Sequence, residues 1–314
     1  MPSFNAINYS LRPSKSIQRQ IVFNCLRSFQ SELGLDDLVY IGFGSIWFTD
    51  FVLAHKLLKI QTMISIEANL IGYRRALFNV PYANVVVKNG YSYDILPELL
   101  VDAALTDRPW LIWLDYDYEL TESVRDDLRL IVENAPPGSL LLATVNGNEM
   151  KYGPAAARPD RLREILGAVV PDDLPKKSCK DERMQATLAD LMLDYLVSVA
   201  ADIARPGGFV PAFRVIYQDG APMVTVGGIL PTKETVQIAR DAVAKPDWPG
   251  KPPKPISAPN LTLREAAVLQ SQLPCVLPID RAKVQALGFD LDDEQIETFS
   301  KYYCEYPMFA QIST

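Results

Sequence analysis

Asp115 and Asp117 stand two residues apart in "LDYDY" (Leu114–Tyr118), directly after the apolar run "WLIWL". Carboxylates so placed can take a proton, meet a cationic ligand group, or share a divalent ion with water and Asn146. One of them could equally cap the next helix. Alternation along a strand puts Asp115 and Asp117 on one side and Tyr116 on the other. Upstream, Gly42-Phe43-Gly44-Ser45 follows a β-rich run and lets a ligand approach the backbone closely, because glycine adds no side-chain bulk. The other reading of those glycines is a plain strand–helix turn. Glu67 ends "ISIE", where an acid can accept hydrogen bonds from the vicinal hydroxyls of a ribose or simply favour a helix N-terminus. Asn146 ends the run "SLLLATV".

Composition narrows the chemistry. With one histidine, His55, in 314 residues, histidine-rich metal sites and His-based triads are nearly excluded. Cys25, Cys179, Cys275 and Cys304 have no CxxC spacing, so neither a zinc site nor a disulfide scaffold is expected. Two carboxylates and an amide fall short of a filled oxygen shell, so no metal is expected. A net charge of −7 disfavours general nucleic-acid binding. The exception is the N-terminus, where Arg12, Lys15, Arg19 and Arg27 precede the first acid, Glu32. Arg12, Lys15 and Arg19 could bind an anionic substrate such as a nucleotide or phosphate ester. They could also be a solvated arm docked by Tyr9 and Leu11. For Arg19 and Arg27 the helical spacing favours a solvated face. No apolar run is long enough to span a bilayer, and the first residues lack the apolar stretch of a secretory signal, so the expected compartment is the cytoplasm.

The elements that must position these residues alternate. Ser16 to Gly34 has helical spacing, with Ile17, Ile21, Cys25, Phe29 and Leu33 on one face. Strands are expected at Leu38–Phe43, Met63–Ala68, Asn84–Asn89, Trp110–Tyr116 and Ser139–Val145, each but the last followed by a helix. The first of those helices is placed at about Ile46 to Leu58. Five such strands indicate a parallel sheet covered on both faces. A helical insertion follows (about 147–208), then two β-rich runs around Asp219-Gly220, a hairpin signal. The Pro-rich Lys245–Asn260 should be extended, and Thr262-x-x-Glu265 opens a helical tail with a capping box. The expected organisation is an arm and helix over 1–36, an α/β domain over 37–244, and a linker with helical appendage over 245–314. Open parallel sheets bind ligands beyond their strands' carboxyl ends, and here every such end carries small or polar residues.

This order of features resembles the class I S-adenosylmethionine-dependent methyltransferase superfamily over about Leu38 to Leu230. The matching stretches are "YIGFGS", "ISIEAN", the polar "NGYS" after the third strand, "WLDYDY", and a closing hairpin as the last two strands. The whole chain is also similar to a bacterial group labelled putative O-methyltransferase, through "NYSLRPSKSIQR", "YIGFGSIWFTDF", "FNVPY", "MVTVGGIL" and "PNLTLREA". The resemblance implies a Rossmann-like fold with a mostly parallel seven-stranded sheet and an antiparallel terminal hairpin, and S-adenosyl-L-methionine as cofactor. It implies that Gly42, Gly44 and Ser45 lie beside the methionine part, that Glu67, with Ala68 next to it, holds the ribose, and that Tyr91 and Ser92 edge the adenine. It implies that Asp115 sits near the sulfonium and the acceptor. Asp115 and Asp117 are then the candidate catalytic bases. Arg12, Lys15, Arg19, Tyr116 and Asn146 are the candidate acceptor contacts.

The chain departs from the superfamily pattern in three places. Tyr40 stands where an acid usually precedes the first glycine by two residues, and Ile46 replaces the third glycine. "DYDY" replaces the Asn/Asp-Pro-Pro-Tyr/Phe motif of many amino methyltransferases, which disfavours adenine or cytosine N-methylation. The leading expectation is methyl transfer to oxygen on a small or nucleotide-like acceptor. The alternative is a catalytically degenerate module that binds a nucleotide-like ligand, or a partner protein through its insertion and tail. A nicotinamide enzyme is the third reading. Trp47, at the last glycine position of a dinucleotide fingerprint, and the hairpin argue against it.

Overall fold

The computed structural model describes residues 12–307 except 219. Tyr9, Leu11 and Asp219, to which the sequence assigns an arm contact and a turn, lie outside those residues. Its strands are β1 (Val39–Gly42), β2 (Thr62–Glu67), β3 (Val85–Asn89), β4 (Trp110–Glu119), β5 (Ser139–Asn146), β6 (Val210–Gln218) and β7 (Pro222–Leu230). They form one seven-stranded sheet in the order β3-β2-β1-β4-β5-β7-β6. The pairs among β1 to β5 are parallel, and β7 runs antiparallel to both β5 and β6. The order reverses between β1 and β4, which opens a crevice at their carboxyl ends. The expected mixed sheet with a terminal hairpin is the one observed.

The helices are α1 (Pro13–Leu33), α2 (Thr49–Leu58), α3 (Leu70–Asn79), α4 (Ser92–Leu100), α5 (Ala103–Thr106), α6 (Glu122–Asn134), α7 (Arg158–Leu166), α8 (Glu182–Asp202), α9 (Val236–Val243), α10 (Leu263–Gln270), α11 (Arg281–Ala286) and α12 (Asp293–Tyr302). Two apolar clusters, one per face of the sheet, hold them. On β4 the period of two assigns Trp110, Ile112, Leu114 and Tyr116 to the cluster that also buries α4, α6, α7 and α8. Leu111 and Trp113 go to the other cluster, with α1, α2, α9 and the tail helices. Asp115 therefore projects toward α1, and Tyr116 toward α6.

The helical insertion expected between 147 and 208 is α7 and α8, with α8 buried against the hairpin side of the sheet. The Pro-rich segment runs along the outer edge of β6, where Ile256 makes a parallel bridge to Tyr217 and Gly250 accepts a backbone bond from Arg214. An edge strand covered in this way is closed to further pairing. The capping box at Thr262 and Glu265 forms as expected. α1 starts at Pro13, three residues before the expected Ser16, because proline suits the first helical turn.

Candidate cofactor and acceptor site

A cleft of about 410 Å³ opens at the carboxyl ends of β1, β2, β3, β4 and β5. Among its walls are Arg12, Lys15, Arg19, Gly44, Ser45, Glu67, Ala68, Tyr91, Ser92, Asp115, Tyr116, Asp117 and Asn146. These are the residues singled out from the sequence, with the single exception of Gly42. Gly42 is buried below the cleft, where an added Cβ would lie 2.9 Å from the Trp113 carbonyl oxygen and 3.2 Å from the Tyr40 hydroxyl.

Gly44 also owes its identity to internal packing. A Cβ there would stand 2.6 Å from the Phe48 ring and 2.7 Å from Ser65 Oγ, which accepts the Gly44 N–H at 3.1 Å. The helix after this loop begins at Thr49, not at Ile46. Ser45 (φ 51°) and Phe48 (φ 50°) are left-handed, and Phe48 donates its N–H back to the Gly44 carbonyl at 2.8 Å. Two left-handed residues cannot sit inside a right-handed helix, so the loop is longer than its apolar pattern suggests. It turns Trp47 outward to 43% exposure at the rim. It also leaves Ser45 Oγ buried with no hydrogen-bond partner among the described residues.

Glu67 is half-buried and accepts the Asn69 N–H at 2.9 Å. Burial raises its carboxyl above the ordinary range; the Asn69 N–H opposes this and the Asp117 carboxylate adds to it. Tyr91 caps α4 and stacks on Tyr93 at 5.0 Å, both rings exposed. Ser92 spends its hydroxyl on the carboxylate of Asp127, which also accepts the Tyr116 hydroxyl at 2.7 Å. Asp127 is thus the buried post that fixes α4 and β4 to α6. Burial raises its carboxyl, against the two hydroxyl donors.

β4 changes register against β5 between Asp115 and Glu119. That irregularity pushes Asp117 and Tyr118 outward, so both are exposed at the mouth. Phe43 packs edge-on against Tyr116 at 5.1 Å, and Tyr116 against Tyr118 at 5.3 Å. Asn146 is buried, with its Oδ1 accepting the Asn148 N–H.

The remaining wall is ionic. Lys15 Nζ contacts Asp115 Oδ1 at 2.8 Å, Asp115 Oδ2 at 2.6 Å and the Tyr217 hydroxyl at 2.9 Å. It lies over the Trp113 and Tyr217 rings at 5.8 and 5.3 Å. One turn along α1, Arg19 Nε contacts Asp50 Oδ1 at 2.5 Å. Burial alone would lower the Arg19 guanidinium's affinity for its proton, but Asp50 and Asp115 outweigh it and hold Arg19 above its usual value. The solvated face expected for Arg19 is corrected here: it is buried, while Arg27, two turns further along α1, is exposed. Arg19 falls where α1 crosses the mouth of the sheet, a tertiary contact that helical spacing alone does not reveal.

Sequence reading missed Asp50, Tyr217 and Asp127. Asp50 lay inside a stretch read as helix, and Tyr217 inside a hairpin strand, with no local motif to mark either. Among the described residues no three His, Cys, Asp or Glu side chains cluster as a metal site, and no helix is long and apolar enough to cross a membrane.

Several solved structures are similar. Trm1 of Pyrococcus horikoshii, in complex with S-adenosyl-L-methionine, is 13% identical over 72% of this chain and 58% of its own, with a TM-score of 0.47. The O-methyltransferase TomG of Streptomyces achromogenes, in complex with SAM, is 14% identical over 72% and 91%, with a TM-score of 0.40. An O-methyltransferase of Bacillus cereus, in complex with SAH, is 16% identical over 71% and 84%, also at 0.40. No curated protein matches the chain significantly. The match that spans nearly the whole sequence is to a family described as "Putative O-methyltransferase", over residues 7–314. With that match the chain belongs to this family.

Proposed function

We propose that this protein transfers the methyl group of S-adenosylmethionine to an oxygen atom of a small or nucleotide-like acceptor. The observation that carries the reading is convergence. Gly44, Ser45, Glu67, Ala68, Tyr91, Ser92 and Asp115 come from four different strand ends and line one cleft. The residues fit the cofactor: a half-buried carboxylate at Glu67 suits the ribose hydroxyls, and the unpartnered Ser45 Oγ suits a polar group beside the Gly44 loop. The exposed Tyr91 ring, stacked on Tyr93, and the α4 start at Ser92 suit the adenine edge.

Bound there, the cofactor supplies an electrophilic methyl group on its sulfonium. What the chain adds is placement and proton handling. Tyr116, Phe43 and Met223 give the cleft an apolar lining. Asp115 is held by Lys15, so its carboxylate is oriented; Asp117, exposed at the mouth, is the carboxylate open to solvent. Either could take an acceptor's hydroxyl proton directly or through a water. Arg12, Lys15 and Asn146 give the acceptor side a cationic and amide lining, suited to an anionic small molecule. We place the protein in a bacterium on the resemblance of the whole sequence.

Titration calorimetry with S-adenosylmethionine and S-adenosylhomocysteine tests the reading. Saturable binding is expected; no heat at millimolar ligand from folded protein sinks it. Glu67→Ala should weaken binding by about 1–3 kcal/mol, the range for lost charged hydrogen bonds. Binding without turnover on any hydroxylated acceptor would instead favour the non-catalytic binding module.

A further inference from the structure

α3 turns its small residues toward the sheet and its large apolar ones away from it. Gly72 and Ala76 are its buried residues, and Ala76 packs into the cluster with α1 and α2. Leu70, Ile71, Leu77 and Phe78 are exposed, Ile71 at 65% and Phe78 at 90%. Their spacing of one, seven and eight residues sets the four in one stripe along the helix, opposite the buried pair. A helix that answers only to its own core usually buries its large apolar side chains. Apolar residues scattered singly over a surface need no explanation, but a contiguous stripe marks a contact with something else.

The charge around the stripe is of one sign. Arg74 stands between the two apolar pairs, Leu70–Ile71 and Leu77–Phe78, and is exposed. His55 of α2 stacks on Tyr82 at 4.4 Å, which brings the end of α2 beside the loop after α3. Lys56 and Lys59, both exposed, lie at that end of α2. Lys56, Lys59 and Arg74 form no ion pair among the described residues, whereas Lys88 is paired with Glu98. From Phe51 to Tyr93 the only acid is Glu67, and it belongs to the cleft. On a chain of net charge −7 this is a local basic surface with apolar side chains standing out of it.

Three kinds of partner cover an apolar helix face. A second copy meeting it about a twofold axis through the stripe brings Arg74 against its own copy, two like charges at the centre. An acidic amphipathic helix of another protein needs a groove to lie in, and the protruding Ile71 and Phe78 make a ridge. An anionic bilayer suits both features. It takes protruding apolar side chains at the boundary of headgroups and acyl chains, and its phosphates attract the flanking cations.

We propose that α3 and the end of α2 form a peripheral docking surface for an anionic lipid bilayer. Leu70, Ile71, Leu77 and Phe78 enter the headgroup–acyl boundary, and the Arg74 guanidinium meets lipid phosphate. Lying on a bilayer differs from crossing it, and no helix among the described residues is long and apolar enough to cross. The surface adjoins the cleft, because Leu70 follows Ala68 and Asn69 of its wall. The proposal goes beyond the methyl-transfer reading and does not depend on it.

The test is co-sedimentation of the full chain with two kinds of vesicle, phosphatidylcholine alone and phosphatidylcholine with about one third phosphatidylglycerol. Wild type should bind the anionic vesicles about tenfold or more tightly, and added salt should weaken that binding. Ile71→Ser with Phe78→Ser, and separately Arg74→Glu, should each weaken it about tenfold. These positions are exposed, so the variants' melting temperatures without vesicles should stay near that of the wild type. Wild type that ignores anionic vesicles, or variants that bind them as wild type does, overturns the proposal. If that wild type is a dimer which Ile71→Ser with Phe78→Ser dissociates, the face belongs to a second copy instead. If it binds an acidic amphipathic peptide through Ile71 and Phe78, the face belongs to a protein. Should a variant fail to fold, Phe78→Trp decides, since it keeps the apolar surface. The emission it adds to that of the wild type should shift blue on anionic vesicles and be quenched by brominated acyl chains. Added emission indifferent to both overturns the proposal.

Discussion

Lys15 Nζ reaches both oxygens of Asp115, at 2.8 and 2.6 Å, across a sequence separation of 100 residues. The lysine is 3% exposed and the aspartate side chain 19%, so the pair is desolvated mostly on the lysine side. The Tyr217 hydroxyl and the faces of Tyr217 and Trp113 complete the lysine's surroundings. Removing one partner of such a pair leaves the other charge stranded, at a typical cost of 3–5 kcal/mol when fully buried. Asp115→Leu strands the deeply buried lysine and is expected to cost about 3 kcal/mol of unfolding free energy. Lys15→Met strands the better solvated aspartate and should cost less. The double substitution Lys15→Met with Asp115→Leu should recover most of the loss. Urea unfolding of the three variants checks this, and additive losses in the double variant would show that the pair is not coupled.

The raised carboxyl of Glu67 makes function and stability pull in opposite directions. Its folded value lies above the ordinary one because burial disfavours the charge. The folded state therefore binds this proton more readily than the unfolded chain does. The contribution is most favourable at pH below the unfolded value and is lost as pH rises through the folded value. Above that window Glu67 costs stability. Glu67→Gln should accordingly raise the melting temperature at pH 7, flatten the stability profile on the acid side, and weaken S-adenosylhomocysteine binding. Thermal unfolding between pH 4 and pH 8, run beside calorimetry, checks all three. A lower melting temperature at pH 7 would show that the Asn69 contact outweighs the burial penalty.

Much of the fold was legible because β4 and β5 are apolar on both faces and stop at polar residues. Periodicity placed Asp115 and Tyr116 on opposite sides, and they project to α1 and α6 respectively. The candidate site was legible where it follows strand ends, since a parallel sheet brings its carboxyl ends together whatever covers them. It was not legible where partners arrive from distant segments. Nothing local in Ser14 to Gln20 says that Lys15 and Arg19 turn inward, nor that Ser92 will be occupied by Asp127 from the next helix. The α2 start was misplaced because left-handed geometry at Ser45 and Phe48 has no signature in non-glycine residues.

Asp127 offers a second stability test that reaches the site. It accepts from Tyr116, at 2.7 Å, and from Ser92, and it is 2% exposed. Asp127→Ala leaves two hydroxyl donors without a partner, each a loss of about 1–3 kcal/mol when buried. The expected result is a fall in unfolding free energy of roughly 2–4 kcal/mol by that reckoning. Asp127→Asn keeps an acceptor oxygen and removes a carboxylate that burial disfavours, so it should be close to neutral. If binding of 5′-methylthioadenosine weakens in Asp127→Ala and not in Asp127→Asn, the post is positioning the α4 start for the adenine.

Gly44 separates two explanations of the glycine loop. If the glycines serve only the approach of a ligand, Gly44→Ala should bind ligand poorly and fold normally. The contacts argue otherwise: the new methyl would meet the Phe48 ring at 2.6 Å and Ser65 Oγ at 2.7 Å. Phe48 is 1% exposed and locked edge-on against Phe51 at 5.3 Å, so it has little room to retreat. Overpacking of this kind typically costs 1–3 kcal/mol, and Gly44→Ala should lose about 2 kcal/mol of stability before any ligand is added. Gly42→Ala would press on the Trp113 carbonyl, a backbone atom, and should lose at least as much. Pairing Gly44→Ala with Phe48→Leu should restore part of the stability by making room. If ligand affinity returns with it, the loop's shape rather than the bare backbone at Gly44 is what the cofactor requires.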